Sequence, residues 1–261
     1  MTSSTAWLFD SVDLASFGSI TLLDDYLDIA GKRGGNQQIP RKHGTIHVPK
    51  FYEETEIAMG IAMKYGNAEL LEAAIDSLKT LCSARNEKVL SNTRADGTIR
   101  TAMASVEGKL QTQRESHNFA RIVITFKLAN PFFRGSVLIS EEVTVNASPK
   151  TLTVDNTGTV EECSPVIVLT GPLVNPVITN PANGCVLTYT GTIASPRVVT
   201  ISEVSGEFVA TNDLGTNVIG SISHSGREAL LVLEPGSNAL SITADTPTTG
   251  KVKVEFYPPY L

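Results

Sequence analysis

His43 and His47 stand four residues apart in Lys42-His-Gly-Thr-Ile-His47, a spacing that lets two imidazoles grip one metal ion when it falls on a helix. Gly44 and the Thr, Ile and Val residues around it oppose a helix there. On a strand the two rings share a face but lie ~13 Å apart at the usual rise per residue. That is too far for one ion, so both are read as solvated or interface histidines. Adjacent acidic pairs occur at Asp24-Asp25, Glu53-Glu54, Glu141-Glu142 and Glu161-Glu162. Neighbours on an extended chain point to opposite faces, so no pair is by itself a general acid and base, although folding can bring two pairs together. They are read as solvated edges. His224-Ser225 follows Ser221 and Ser223, without the Gly-x-Ser-x-Gly elbow or the strand-to-helix setting of an activated serine. Gly34-Gly35 lies in a basic loop, Lys32-Arg-Gly-Gly-Asn-Gln-Gln-Ile-Pro-Arg-Lys-His43, which lacks the strand before and helix after of a phosphate cradle. Its cationic residues Lys32, Arg33, Arg41, Lys42 and His43 suit an acidic neighbouring subunit instead. No catalytic, cofactor-binding or metal-binding residue is assigned, and the chain is read as a non-enzyme.

A sugar-binding sandwich stacks sugar faces on exposed aromatic rings. Trp7, the only tryptophan, is far in sequence from the second half of the chain, which offers Tyr189, Phe208, Phe256, Tyr257 and Tyr260. Phe208 alternates like a core residue. Carbohydrate binding or host adhesion by this half is the alternative function. Of the three cysteines, Cys82 falls on the apolar face of a predicted helix and reads as a buried thiol. Cys163 and Cys185 can meet across a sheet, but a reducing compartment disfavours their pairing.

These residues have to be placed by elements the hydropathy pattern sets out. Asn67 is positioned to cap a helix from Ala68 to about Ala84, because its side chain can accept a bond from a free amide of the first turn. Leu70, Leu71, Ala74, Ile75, Leu78, Leu81 and Cys82 recur at three- and four-residue steps, with Glu69, Glu72, Asp76 and Lys79 mostly off the stripe. Before it, Ala6–Leu14 and Ile46–Met63 carry strand-like apolar runs. After it, Arg85–Arg100 is polar, contains Asp96-Gly97, and is predicted to be a loop or hairpin tip. Strand-like runs follow at Ile99–Leu110 and Ala120–Leu128, the second closed by Asn130-Pro-Phe-Phe-Arg-Gly135.

Beyond that turn the pattern is β only. Short Val, Ile, Leu and Thr runs, among them Ala229–Leu233 and Leu240–Thr243, are separated by turn residues such as Asn180-Pro181, Asn183-Gly184 and Pro235-Gly236. Leu231–Thr243 reads as strand, tight turn at Pro235-Gly-Ser-Asn238, strand. The fold class expected is mainly β with one helix: a β-sandwich over 1–137 and a jelly-roll-like β-sandwich over 138–261.

A chain of 261 residues fits one large domain or two of ordinary size. Charged residues make up 18%, below the usual quarter, and the net charge of −6 excludes a dedicated duplex-DNA binder, which needs a concentrated basic face. The start, Met1-Thr-Ser-Ser-Thr-Ala-Trp-Leu-Phe-Asp, lacks the cationic and apolar regions of a signal peptide, and no run approaches the ~18 apolar residues of a membrane span. Synthesis in a cytoplasm without membrane insertion is the expectation.

The first half resembles the ring-forming domain of distal tail proteins from long, non-contractile-tailed bacteriophages. The matching features are Arg41-Lys-His-Gly-Thr, Phe51-Tyr-Glu-Glu-Thr-Glu-Ile-Ala-Met-Gly60, the single helix, and Asn130-Pro-Phe-Phe-Arg-Gly135. Many relatives carry Asp-Pro-Phe-Trp in the last motif, so Asn130 and Phe133 depart conservatively. The second half resembles the galectin-like sandwich of the same proteins, through Asn156-Thr-Gly-Thr159, Pro165-Val-Ile-Val168, Gly171-Pro-Leu-Val-Asn-Pro176, Tyr189-Thr-Gly-Thr192 and Leu233-Glu-Pro-Gly-Ser-Asn238. The resemblance implies a homohexameric ring at the distal end of the virion tail. That ring would join the tail tube protein to the tail-tip hub and receptor-binding proteins, leaving an acidic lumen through which DNA passes without specific binding. It implies no catalytic residue and no cofactor.

Overall fold

The computed structural model describes residues 6–23, 30–38, 43, 45–46, 50–204, 206–226, 230–246 and 249–261. Two units divide the chain, Met1–Ser136 with Leu261, and Val137–Tyr260.

In the first unit, Ala6–Phe9 (β1), Val12–Asp13 (β2) and Ser19–Leu22 (β3) are followed by Thr55–Lys64 (β4), the helix Ala68–Cys82 (α1), Lys88–Thr93 (β5), Ile99–Ser116 (β6), Phe119–Leu128 (β7) and Phe133–Gly135 (β8). The strands run β2-β1-β5-β6-β7-β4-β3, every neighbour antiparallel, with β8 also on β6. Strand β6 explains how this becomes two layers. Its first part pairs with β5, from Ile99↔Thr93 to Ala104↔Lys88, and its second part pairs with β7, from Ser105↔Lys127 to Ser116↔Phe119. The sheet therefore doubles over, and Phe9 of β1 meets Phe126 of β7 at 4.9 Å between ring centroids. Alternation supplies the filling: Ile57, Met59, Ile61 and Met63 of β4 and Ile122, Ile124, Phe126 and Leu128 of β7 are buried, while the residues between them are not. Register slips in the second part of β6, where Glu107↔Thr125 is followed by Gln111↔Val123. Gly108 sits in that bulge at φ 68°, a left-handed conformation that costs glycine no Cβ clash.

The helix forms where its capping and periodicity place it. Leu70 N donates to Asn67 Oδ1 at 2.9 Å, and Leu71, Ile75 and Leu78 are buried. It stops at Cys82, and Leu70, expected on the buried stripe, is 53% exposed. The loop expected over Arg85–Arg100 is corrected: Lys88–Thr93 is a strand with Leu90 and Asn92 buried, and the tip is confined to Arg94–Thr98. One apolar side chain per turn of the pleat was too weak a signal among flanking charges to show it.

The second unit is built from Ile139–Thr144 (β9), Lys150–Asn156 (β10), Val166–Thr170 (β11), Val177–Asn180 (β12), Cys185–Tyr189 (β13), Val198–Val204 (β14), Glu207–Asn212 (β15), Ile222–Ser225 (β16), Gly236–Thr243 (β17) and Lys251–Phe256 (β18). Two five-stranded antiparallel sheets, β9-β18-β11-β14-β15 and β10-β17-β12-β13-β16, make a β-sandwich. Ile167, Leu169, Val199, Ile201, Val252 and Val254 of one sheet share a core with Leu152, Val154, Ile178, Leu187, Leu240 and Ile242 of the other.

The hairpin expected over Leu231–Thr243 does not form. Strand β17 begins at Gly236, and Leu230–Leu233 lies fully in the core with only an isolated bridge, Glu162↔Leu233. Four consecutive buried apolar residues cannot alternate between a core face and a solvent face, so the segment is not a sheet strand. The carbonyls of Val232 and Leu233 accept from asparagine side chains, Leu233 O also accepting from Glu162 N at 2.9 Å. Asn180 Nδ2 and Asn183 Nδ2 donate to Val232 O at 2.8 and 2.9 Å, and Asn156 Nδ2 donates to Leu233 O at 3.1 Å. Asn238, 1% exposed, accepts from Glu234 N at 2.9 Å and donates to Glu234 O at 2.8 Å.

Removal of Asn238 strands several buried backbone groups, whereas removal of Asn67 frees one amide at a solvated helix end. Asn238→Ala is expected to destabilise the protein by about 2–4 kcal/mol and Asn67→Ala by about 1 kcal/mol. Guanidinium unfolding checks this, and an Asn238→Ala variant no worse than Asn67→Ala would contradict it.

Candidate functional site

The residue pairs singled out for chemistry are not assembled into a site among the described residues. His43 is exposed, while His47 and Asp24-Asp25 lie outside the described residues, as do Arg41 and Lys42. Glu54 is engaged by Lys127 Nζ at 2.9 Å and Glu142 by Lys251 Nζ at 2.7 Å. Glu162 is 2% exposed and accepts from Ser164 N at 2.8 Å. Among the described residues no three His, Cys, Asp or Glu side chains gather as metal ligands. Ser223 and His224 are consecutive in β16 and point to opposite faces of its sheet. Tyr189 and Phe256 belong to the core at 9% and 5% exposure, Phe208 packs against that core, and Tyr257 is exposed.

The first unit instead presents an uncovered sheet face and two open strand edges. Strands β3, β4, β7 and the second part of β6 turn one face to the core. The other face carries small and polar residues, Thr21, Gly60, Ala62, Gln111 and Gln113, beside Val123, and these line a groove of about 720 Å³ together with Leu23, Lys109 and Arg121. Charges around this face are largely paired within it. Arg121 Nε meets Glu115 Oε1 at 3.1 Å, and Lys127, at the far end of β7, is held by Glu54, which raises its ammonium above the usual lysine range. The hydrogen-bonding edges matter as much. Strand β3 pairs only with β4, and the second part of β6 pairs only with β7, so among the described residues both edges of this four-stranded curve are open. Open edges of one sheet are templates for pairing with another chain. Sequence reasoning did not find them, because an edge is defined by which strands are neighbours; the polar phase Arg121-Val123-Thr125-Lys127 was the available hint of an uncovered face.

The groups whose titration is displaced lie outside this groove. Two bonds from Thr98 lower Asp96 at the β5–β6 turn, Lys253 and then Ser140 lower Glu255, and burial pushes the Cys82 thiol up to about 11. None of them forms an acid–base pair with a groove residue.

No protein-family model and no curated protein sequence matches the chain. Solved structures do. The chain is similar to SPP1 Dit, described as a paradigm of the hub adsorption apparatus in phages infecting Gram-positive bacteria, with a TM-score of 0.70 and 13% identity over 98% of this chain and 99% of that one. Chains of the phage P2 baseplate in its activated conformation, with Ca and with Sr, align at TM-scores of 0.46 and 0.45 and 7% identity. At these identities the shared property is the fold: end to end, the chain has the fold of the SPP1 hub protein.

The raised Cys82 pKa has a readable consequence. Cys82 is half-buried rather than buried as expected; the unfolded thiol ionises near 9, the folded one near 11, so the contribution of the neutral thiol is complete below pH 9 and is lost as pH rises towards 11. The unfolding free energy of the wild type is expected to fall over that window more steeply than that of Cys82→Ala. Parallel slopes in denaturant titrations at several pH values would contradict it.

Proposed function

We propose that this chain is a structural protein of a phage virion. It assembles as a homohexameric ring at the distal end of the tail, joining the tail tube to the tail-tip hub and leaving a lumen for DNA. The observation that carries the reading is the end-to-end fold likeness to a phage hub protein, at a TM-score of 0.70 over 98% of the chain. The two open edges of the β3-β4-β7-β6 curve support it physically. A cyclic array lets β3 of one copy meet β6 of the next, which pairs both of these edges without any further element.

In such a ring the core-facing side of the curve is covered by the rest of the unit, so the uncovered side is the one left to line the lumen. Around that side Glu54, Glu107 and Glu115 stand with Lys109, Arg121 and Lys127; Arg121 and Lys127 are fastened to carboxylates, and Lys109 has no ion pair among the described residues. Paired cations offer little to a phosphate, and the chain's net charge of −6 adds a weak repulsion. Duplex DNA then passes without being held. The non-enzymatic role follows from the same reading, since the groove floor is glycine, alanine, threonine and glutamine rather than a set of titrating groups.

Light scattering of the purified chain tests this. Six copies of 27.9 kDa give a particle of about 167 kDa at micromolar concentration. A mass that stays at one copy up to the highest soluble concentration would refute the ring.

A further inference from the structure

The short ribbon formed by Lys32–Arg33 and Phe51–Tyr52 gathers cations that no carboxylate among the described residues pairs. Elsewhere in the unit Lys79, Lys88, Arg114, Arg121 and Lys127 each touch a carboxylate, while Lys64, Arg85, Arg94 and Lys109 have no ion pair among the described residues. Lys32, Arg33 and Lys50 are all exposed and touch none among the described residues. They are also adjacent: Arg33 is the cross-strand partner of Phe51, Lys32 Nζ lies 4.7 Å from the Tyr52 ring centroid, and the Lys50 side chain runs beside Gly34. Tyr52 is anchored on Phe132 at 5.4 Å between centroids, which fixes the ribbon, while Phe51 is left 55% exposed. Three unneutralised cations around an exposed ring form a patch for an anionic surface with an apolar centre.

The same unit carries a surface of that description. On α1, Glu69, Glu72 and Asp76 fall at steps of three and four residues and so form one stripe, with Leu70 beside them at 53% exposure. Glu69 has no ion pair among the described residues. Glu72 and Asp76 meet Arg114 and Lys79 yet remain 60% and 74% exposed, so both still face solvent. Neither patch is complementary to itself, because like would face like. The contact that satisfies both is therefore heterologous, repeating head to tail as a closed ring requires.

We infer that the Lys32–Arg33–Lys50–Phe51 patch of one copy docks on the Glu69–Leu70–Glu72–Asp76 face of the next. This rests on the ring reading above and adds to its β3–β6 edge contact a second, charged contact between neighbouring copies. The test is a charge swap in the full chain, read by light scattering. The triple variant Lys32→Glu, Arg33→Glu, Lys50→Glu and the double variant Glu69→Lys, Asp76→Lys are each expected to lose the assembled particle at concentrations where the wild type is fully assembled. Mixing the two is expected to restore it at a 1:1 ratio, since each copy then meets only the opposite sign. Wild-type assembly is also expected to weaken as salt rises from 0.1 to 1 M, where the screening length shrinks from about 10 to 3 Å.

Wild-type chain that never assembles contradicts the ring itself and leaves no subunit contact to assign. Wild type that assembles alongside both reversed variants overturns this contact alone, as does a mixture of non-assembling variants that stays apart. Thermal unfolding checks that each variant is folded. If one is not, the glutamine versions at the same positions take its place, with a reduced assembled fraction expected and an unchanged one overturning the contact.

Discussion

One strand that changes partner holds the first unit together. Ile99–Ser116 gives its first six residues to Lys88–Thr93 and its remainder to Phe119–Leu128, so a single backbone ladder runs through both layers of the sandwich. The layers cannot slide against each other without breaking that ladder, and the aromatic contact between them, Phe9 on Phe126, is held in register by it. The same strand creates the feature on which the proposed assembly rests. Because its second part has a partner on one side only, the curved sheet ends in an open edge there, matched by another at Ser19–Leu22.

The second unit solves a different problem. A segment of four consecutive buried apolar residues, Leu230–Leu233, would bring unpaired carbonyls into the core. Side-chain amides from Asn156, Asn180 and Asn183 reach those carbonyls, and Asn238 binds both the amide and the carbonyl of Glu234. Each asparagine is rigidly placed by a strand or turn of the sandwich, so the segment is fixed without joining a sheet. Polar side chains here do what a neighbouring strand does elsewhere.

The parts that were legible in the chain are those with strong local rules. The Asn67 cap and the three- and four-residue stripe located the helix, and the alternation in Thr55–Lys64 and Phe119–Leu128 located two central strands. The misreadings have physical causes. Pro235-Gly-Ser-Asn238 has turn residues with apolar runs on both sides, and nothing local distinguishes an alternating run from Leu230–Leu233, which is buried on all sides. Lys88–Thr93 looked like loop because its inward positions are Leu90 and an asparagine, Asn92. The surface proposed for assembly was legible only in part. The cations at Lys32 and Arg33 stood out by composition, but their grouping with Lys50 and Phe51 depends on a two-residue ribbon, and the open edges depend on the whole strand order.

In the proposed ring, the open edges and the two oppositely charged patches of the first unit are covered by copies of the same chain, and the uncovered sheet face lines the lumen. Electron microscopy of the purified full-length protein tests that claim most directly. The account predicts six-fold rings with an axial opening wide enough for duplex DNA. Isolated single copies, or open filaments that never close, would contradict it.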